Sequence, residues 1–193
     1  MLNETLILIL AYLIGSLPFG LIISFFAGHG DIRKIGSGNI GTTNVLRTGS
    51  KLLALLTLLA DSGKIIVAIL LANQLGFNED YIAGSIAFLG HLFPIWLKFK
   101  GGKGVASFLG LSLYLFPKIA LVLLSAWIIT FAISRYSSLA AIAASATGFI
   151  ALIITKPFDF NLSLILGLIV LIIIKHKDNI TRLINGKESK FGK

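Results

Sequence analysis

Seven apolar stretches alternate with polar breaks along the chain, covering residues 5–27, 52–73, 80–97, 104–116, 118–134, 138–155 and 160–175. A helix rising about 1.5 Å per residue needs about 20 such residues to cross a hydrocarbon core, so the pattern predicts membrane helices. The fourth and fifth stretches also admit a reading as one long span. Phe116-Pro117-Lys118 argues for two, because proline cannot continue a helix ladder without losing a hydrogen bond. The fourth is then too short to span a full bilayer. Its start is expected either to lie below the membrane surface, with free N–H groups inside the protein, or to sit in a locally thinned bilayer.

Charge decides between the readings. With seven spans and the N-terminus outside, the inner segments take 14 of the 17 Lys and Arg residues, Lys193 among them. The outer segments keep only Lys118 and Lys156, and Lys64 falls inside the second span. Basic residues belong on the cytoplasmic side. A single 104–134 span would send Arg135 and the basic C-terminus outside, so seven spans are expected, with the C-terminus cytoplasmic.

Composition agrees. The 193 residues are 56% hydrophobic and 13% charged, with mean hydropathy +0.94; a soluble domain is about one-quarter charged. The fold class is therefore an all-α integral membrane protein, read as one multi-pass domain over residues 1–193. The first stretch is too long for a signal-peptide core and has no basic segment before it, so no cleavable signal is expected. The chain has no cysteine, which removes disulfides, thiolate metal ligands and a cysteine nucleophile. The net charge of +9 resides in loops between spans, which points to anionic lipid and phosphorylated ligands rather than nucleic acid.

The unusual chemistry falls in three segments on the predicted inner side. The first, Gly36-Ser37-Gly38-Asn39-Ile40-Gly41-Thr42-Thr43-Asn44-Val45-Leu46-Arg47, contains the spacing G-x-G-x-x-G. A dinucleotide site would need a preceding strand, and a membrane helix precedes this one. A phosphate loop would need lysine after Gly41. What survives is the physics of the glycines, which let backbone N–H groups turn toward an anion. Ser37, Asn39, Thr42 and Asn44 add neutral donors and Arg47 a two-pronged cation; the plainer alternative is a connector in which Gly and Asn serve turns.

The second segment, Lys100-Gly101-Gly102-Lys103-Gly104, precedes the short fourth helix, whose N-terminal N–H groups favour an anion. A topology-setting basic loop would need the lysines but not the paired glycines. In the third, His176, Asn179 and Arg182 are three apart and share a face if the last helix continues. His29 and His91 sit at inner ends of spans, where a structural role is expected. Asp61 and Lys64 are spaced i, i+3 inside the second span, either as a structural pair or with Lys64 at the edge of an anion site. Ser16, Pro18 and Gly20 are expected to kink the first helix or let it pack closely.

Together the three segments, with Glu188 after the third, resemble the three motifs of the bacterial acyl-phosphate-dependent glycerol-3-phosphate acyltransferases. The resemblance extends to Gly15-Ser16, Pro18, Gly20 and Asp61…Lys64, and so to nearly the whole chain. Thr42 departs from it, where the family more often has alanine. The resemblance implies an enzyme of the bacterial cytoplasmic membrane that moves a fatty acyl group from acyl phosphate to the 1-hydroxyl of glycerol 3-phosphate. The products would be lysophosphatidate and phosphate, in the first acylation of phospholipid synthesis. It also implies a soluble partner that supplies acyl phosphate.

The residues suit that chemistry. Acyl phosphate already has a good leaving group, and no histidine is followed by aspartate at the spacing of thioester-dependent acyltransferases. Direct transfer without an acyl-enzyme, metal or cofactor is expected. The catalytic candidates are His176, Ser37 and Lys103. The substrate-binding candidates are Gly36, Gly38, Asn39, Gly41, Thr42, Asn44, Arg47, Lys64, Lys100, Gly101, Gly102, Gly104, Asn179, Arg182 and Glu188. The base is either His176 or the acceptor's own phosphate. A transporter or flippase for phosphorylated compounds is the alternative, though it would need polar openings on both faces. A metal-dependent phosphotransferase is excluded by the scarcity of acidic residues.

Overall fold

All seven apolar stretches are helical, as hydrocarbon requires: a helix satisfies its own backbone groups where no water can. The structure is a computed structural model that describes residues 3–192; Lys193, counted above among the inner basic residues, lies outside the described residues. Among the described residues there are helices and loops and no strand.

The elements are α1 (Glu4–Gly15), α2 (Phe19–Ser24), α3 (Thr42–Leu46), α4 (Lys51–Gln74), α5 (Asp80–Leu92), α6 (Val105–Leu115), α7 (Pro117–Ser134), α8 (Ser137–Thr155), α9 (Phe160–Lys175) and α10 (Lys177–Ile184). Five segments are long and apolar enough to cross a membrane: Glu4–His29, Lys51–Gln74, Asp80–Leu97, Pro117–Ser134 and Ser137–Thr155. A sixth qualifies if α9 and α10, bent by 52°, count as one, and α6 is shorter than a span. The expected break at Phe116 is present, with Pro117 opening α7 where its missing N–H is harmless. The 80–97 stretch is not one helix. Pro94 has no N–H to donate, and Phe93 before it has left helical backbone at φ −134°, so α5 stops at Leu92 and a short turn follows.

The chain divides into two compact units, one up to Leu115 and one from Phe116. In the first unit α1 packs on α4 and α5, and α4 also packs on α2, α3, α5 and α6. The α1–α5 crossing uses small residues. A Cβ on Gly15 would strike the Ala87 carbonyl, and one on Gly90 the Tyr12 carbonyl. Glycine there lets the two backbones approach, which in lipid replaces the hydrophobic drive to associate.

The first apolar stretch breaks at Ser16–Pro18, as its composition predicted. The break is held by long-range bonds: Tyr12 donates to the Phe93 carbonyl at 2.6 Å, and Trp96 Nε1 donates to Ser16 Oγ at 2.8 Å. The Leu17 carbonyl, at the interruption of the ladder, accepts from the Phe19 N–H at 3.1 Å and from Lys64 Nζ at 2.8 Å. Lys64 also bonds Asp61 Oδ1 at 2.8 Å, so the i, i+3 pair forms, and it reaches His91 Nδ1 at 2.9 Å. The side chains of Asp61 and Lys64 are each 2% exposed.

In the second unit α8 packs on α7 and α9, with Gly148 lying against Leu123, and α10 rests on α8 and α9. Asp159 caps α9 by accepting from the Leu162 N–H at 2.7 Å.

Because the Lys64 ammonium balances a buried carboxylate, Lys64→Met alone is expected to cost about 3–5 kcal/mol. The double variant Asp61→Asn/Lys64→Met should recover part of that loss. Thermal unfolding in detergent checks both; equal losses would mean the pair does not share its charge.

Candidate active site

The first segment is pinned by one apolar residue. Ile32, fully buried, packs with Val45 and Ala54, and Leu21, Leu46 and Leu53 close around them. From this anchor Asn44 organises the loop. Its amide nitrogen donates to the Ile32 carbonyl at 2.7 Å and the Ile35 carbonyl at 3.2 Å. Its Oδ1 accepts from the Ser37 N–H at 3.0 Å, the Ser37 hydroxyl at 3.3 Å and Arg47 Nη1 at 3.4 Å. Gly36 takes φ 55°, and a side chain there would meet Asn44 and Arg47. The Gly38 N–H donates to the Ile35 carbonyl, and Asn39 Oδ1 accepts from Ile40. Gly41 precedes α3, whose first turn contains Thr42 and Thr43. The Thr42 hydroxyl is buried without a hydrogen-bond partner.

Arg33 is committed elsewhere. It bonds Asp31 at 2.6 Å, and its hydrogen bonds hold the Asp31 carboxyl at about 2. Arg47 remains half-buried beside Ser37 through their shared partner Asn44.

The second segment folds back onto the end of α5. Lys98 and Phe99 take left-handed φ of 51° and 62°, unfavourable for residues with a Cβ. They turn the chain so that the Gly101 N–H meets the Leu92 carbonyl at 3.2 Å and the Gly102 N–H meets the His91 carbonyl at 3.1 Å. The paired glycines therefore cap α5, and those two N–H groups are taken up there. A Cβ on Gly101 would strike the His91 carbonyl, and one on Gly102 the His91 ring. Gly104, at φ 90°, lies against Phe88. Lys100 is exposed and Lys103 half-buried. The start of α6 is tied to α4 by Ser62 donating to the Ala106 carbonyl and Ser107 donating to the Asp61 carbonyl.

Both loops thus hang from α4. Ile32 and Val45 fix the first on Ala54, while the second loop runs into the contacts at Asp61 and Ser62. These anchors are about two helical turns apart. The third segment lies in the second unit. His176 is buried at the bend between α9 and α10, with Nδ1 at 2.8 Å from the Ile172 carbonyl. A carbonyl there needs the proton on Nδ1, which leaves the Nε2 lone pair to accept one. Glu188 gathers the rest: its Oε1 accepts from Asn179 at 2.7 Å and Ser138 at 2.8 Å, and its Oε2 from Arg182 at 2.7 Å. Burial raises the Glu188 carboxyl, but the bonds from Asn179, Ser138 and Arg182 outweigh it and leave the group below its ordinary range.

The model of the family described as glycerol-3-phosphate acyltransferase matches residues 5–186. The chain belongs to that family. A glycerol-3-phosphate acyltransferase of Brucella anthropi is 52% identical over 185 residues, covering 96% of this chain and 92% of the relative. One from Sinorhizobium medicae is 50% identical over 186 residues, covering 96% and 91%. Among solved structures, the glycerol 3-phosphate form of PlsY (YgiH), an integral membrane glycerol 3-phosphate acyltransferase, aligns with TM-score 0.88 at 36% identity, over 98% of this chain and 96% of that one. Its lysophosphatidic acid form aligns with TM-score 0.86 at 35% identity, over 98% and 95%.

Within this acyltransferase the predicted site residues divide by what already occupies them. Ser37, Asn44, Gly36 and Arg47 converge in the first loop. Asn179, Arg182 and Glu188 converge in the second unit. Lys64 instead turns into the bundle, its hydrogens directed to Asp61, Leu17 and His91. Asn44 likewise spends both amide hydrogens inside the loop. His91, expected from its place at the end of a span to be structural, bonds Lys64 through its ring and the Gly102 amide through its carbonyl. Nothing in its spacing announces this, because its partners lie on other elements.

Two outcomes follow from this geometry. Replacing Thr42 by alanine removes an unpartnered buried hydroxyl and is expected to stabilise the protein by about 1 kcal/mol; thermal unfolding reads it. Glu188 is lowered in the folded state, so its clasp is fully present above the ordinary glutamate range and is lost as pH falls through the lower folded value. Melting temperature should drop on acidification in the wild type and less steeply in Glu188→Gln.

Proposed function

We propose that this chain transfers a fatty acyl group from acyl phosphate to the 1-hydroxyl of glycerol 3-phosphate, releasing lysophosphatidate and inorganic phosphate. The observation that carries the reading is the pair of glycine-rich, cation-bearing loops anchored about two turns apart on α4. A reaction between two phosphate-bearing substrates needs two such anion sites beside a membrane. Relatives described by their glycerol 3-phosphate and lysophosphatidic acid forms add support.

In this scheme Ser37 and Asn39, on the loop of Gly36, Gly38 and Gly41, hold the acyl-phosphate head. Arg47 and Lys103, aided by Lys100, hold the glycerol phosphate. Asn179 and Arg182 act with Glu188 to keep His176 and α10 in place. The acceptor oxygen attacks the acyl carbon and the bond from that carbon to the phosphate oxygen breaks. Phosphate leaves with the bonding electrons. The hydroxyl proton goes to His176 Nε2 or to the acceptor's own phosphate. No acyl-enzyme forms. Rigid donors facing the developing oxyanion lower the barrier, each by about 3–4 kcal/mol.

The same reading places seven spans in the bacterial cytoplasmic membrane, N-terminus outside, with all three segments on the cytoplasmic face. The distribution of basic residues supports it. A soluble enzyme would deliver acyl phosphate there.

Purified protein given acyl phosphate and glycerol 3-phosphate should form lysophosphatidate and phosphate in equal amounts, without metal. Strict dependence on acyl-CoA, or a trapped acyl group on Ser37, would refute the scheme. His176→Gln should lose at least about a hundredfold in turnover if His176 is the base; near-wild-type turnover would assign the proton to the acceptor phosphate.

A further inference from the structure

His91 lies outside the three segments, yet it touches both the buried ion pair and the second loop. Its Nδ1 is 2.9 Å from Lys64 Nζ and 3.7 Å from Asp61 Oδ1, and the residue is 4% exposed. With the ammonium donating, Nδ1 accepts, which places the ring proton on Nε2. That Nε2 edge is what a Cβ on Gly102 would strike. The His91 carbonyl also takes the Gly102 N–H at 3.1 Å, so one residue supports the loop by its backbone and by its ring. Lys64 in turn is fixed by Asp61 on its own helix and by the Leu17 carbonyl.

We infer that His91 is a positioning residue: locked by Lys64, its ring is the floor on which Gly102 rests, and this sets where Lys100 and Lys103 meet the glycerol phosphate. The inference rests on the glycerol phosphate role proposed above for that loop. It makes the Asp61–Lys64 pair the far end of a rigid support rather than a ligand of either substrate. It also explains glycine at position 102 by the ring beneath it.

The test uses His91→Asn, whose side-chain oxygen replaces Nδ1 as an acceptor for Lys64 but leaves no Nε2 edge. Two readouts are taken on folded protein in detergent. Trypsin cleavage at Lys98, Lys100 and Lys103, followed by mass spectrometry without substrate, reads the order of the loop. Steady-state kinetics read KM for glycerol 3-phosphate against kcat and against KM for acyl phosphate. Expected are faster cleavage and a KM for glycerol 3-phosphate raised about tenfold, with kcat and the donor KM close to wild type. Gly102→Ala should be harmful alone and less harmful in the His91→Asn background, where the space of the ring is open. If His91→Asn does not fold, His91→Ser, which also leaves no Nε2 edge, carries the same two measurements.

Unchanged cleavage with unchanged KM overturns the inference, as does a purely additive double variant. Faster cleavage and a non-additive double variant with unchanged KM support the positioning role of His91. That pattern would instead remove glycerol phosphate from the loop, so the two readings fail separately.

Discussion

The Lys64 ammonium sits inside a helical bundle with almost no exposure, and each of its hydrogens has to meet an acceptor there. A buried charge left without partners costs several kcal/mol, so the surrounding chain is constrained to supply them. One acceptor comes from Asp61, one turn back on α4. Another is the Leu17 carbonyl, which a continuous first helix would have consumed in its own ladder. The third contact is His91, near the end of α5. Three elements therefore converge on one nitrogen. The proline break in the first apolar stretch and the glycine crossing of α1 on α5 are what let them reach it.

That convergence also governs the loops. The paired glycines of the second segment let it lie flat on α5, and their amides cap that helix. The cations on either side are then presented from a braced backbone instead of a mobile one. The first segment reaches the same end by another route, with the Ile32 anchor and the buried Asn44 amide. For phosphate chemistry this matters, because charge held in place before reaction stabilises developing charge without reorganisation.

Much of the fold was legible because its causes are local. Apolar runs had to be helices in hydrocarbon, Pro117 had to open a helix, and Asp61 and Lys64 had to share a face at i, i+3. Pro94 was equally visible but was read through, and it ended α5 earlier than the apolar pattern implied. The candidate site was legible as residue types, not as roles. Asn44 looked like a donor to phosphate and donates to Ile32 and Ile35; Asn179 and Arg182 looked like ligands and bond Glu188.

By itself the sequence determined an all-helical membrane protein, the breaks at Ser16–Pro18 and Phe116–Pro117, and which three segments hold the polar chemistry. Hydropathy and proline act over a few residues, so their effects can be read in order along the chain. Only the tertiary structure decided who bonds whom. Lys64 meets Leu17 across 47 positions and His91 across 27. A hydrogen bond depends on distance in space, and folding alone brings such positions within 3 Å of each other.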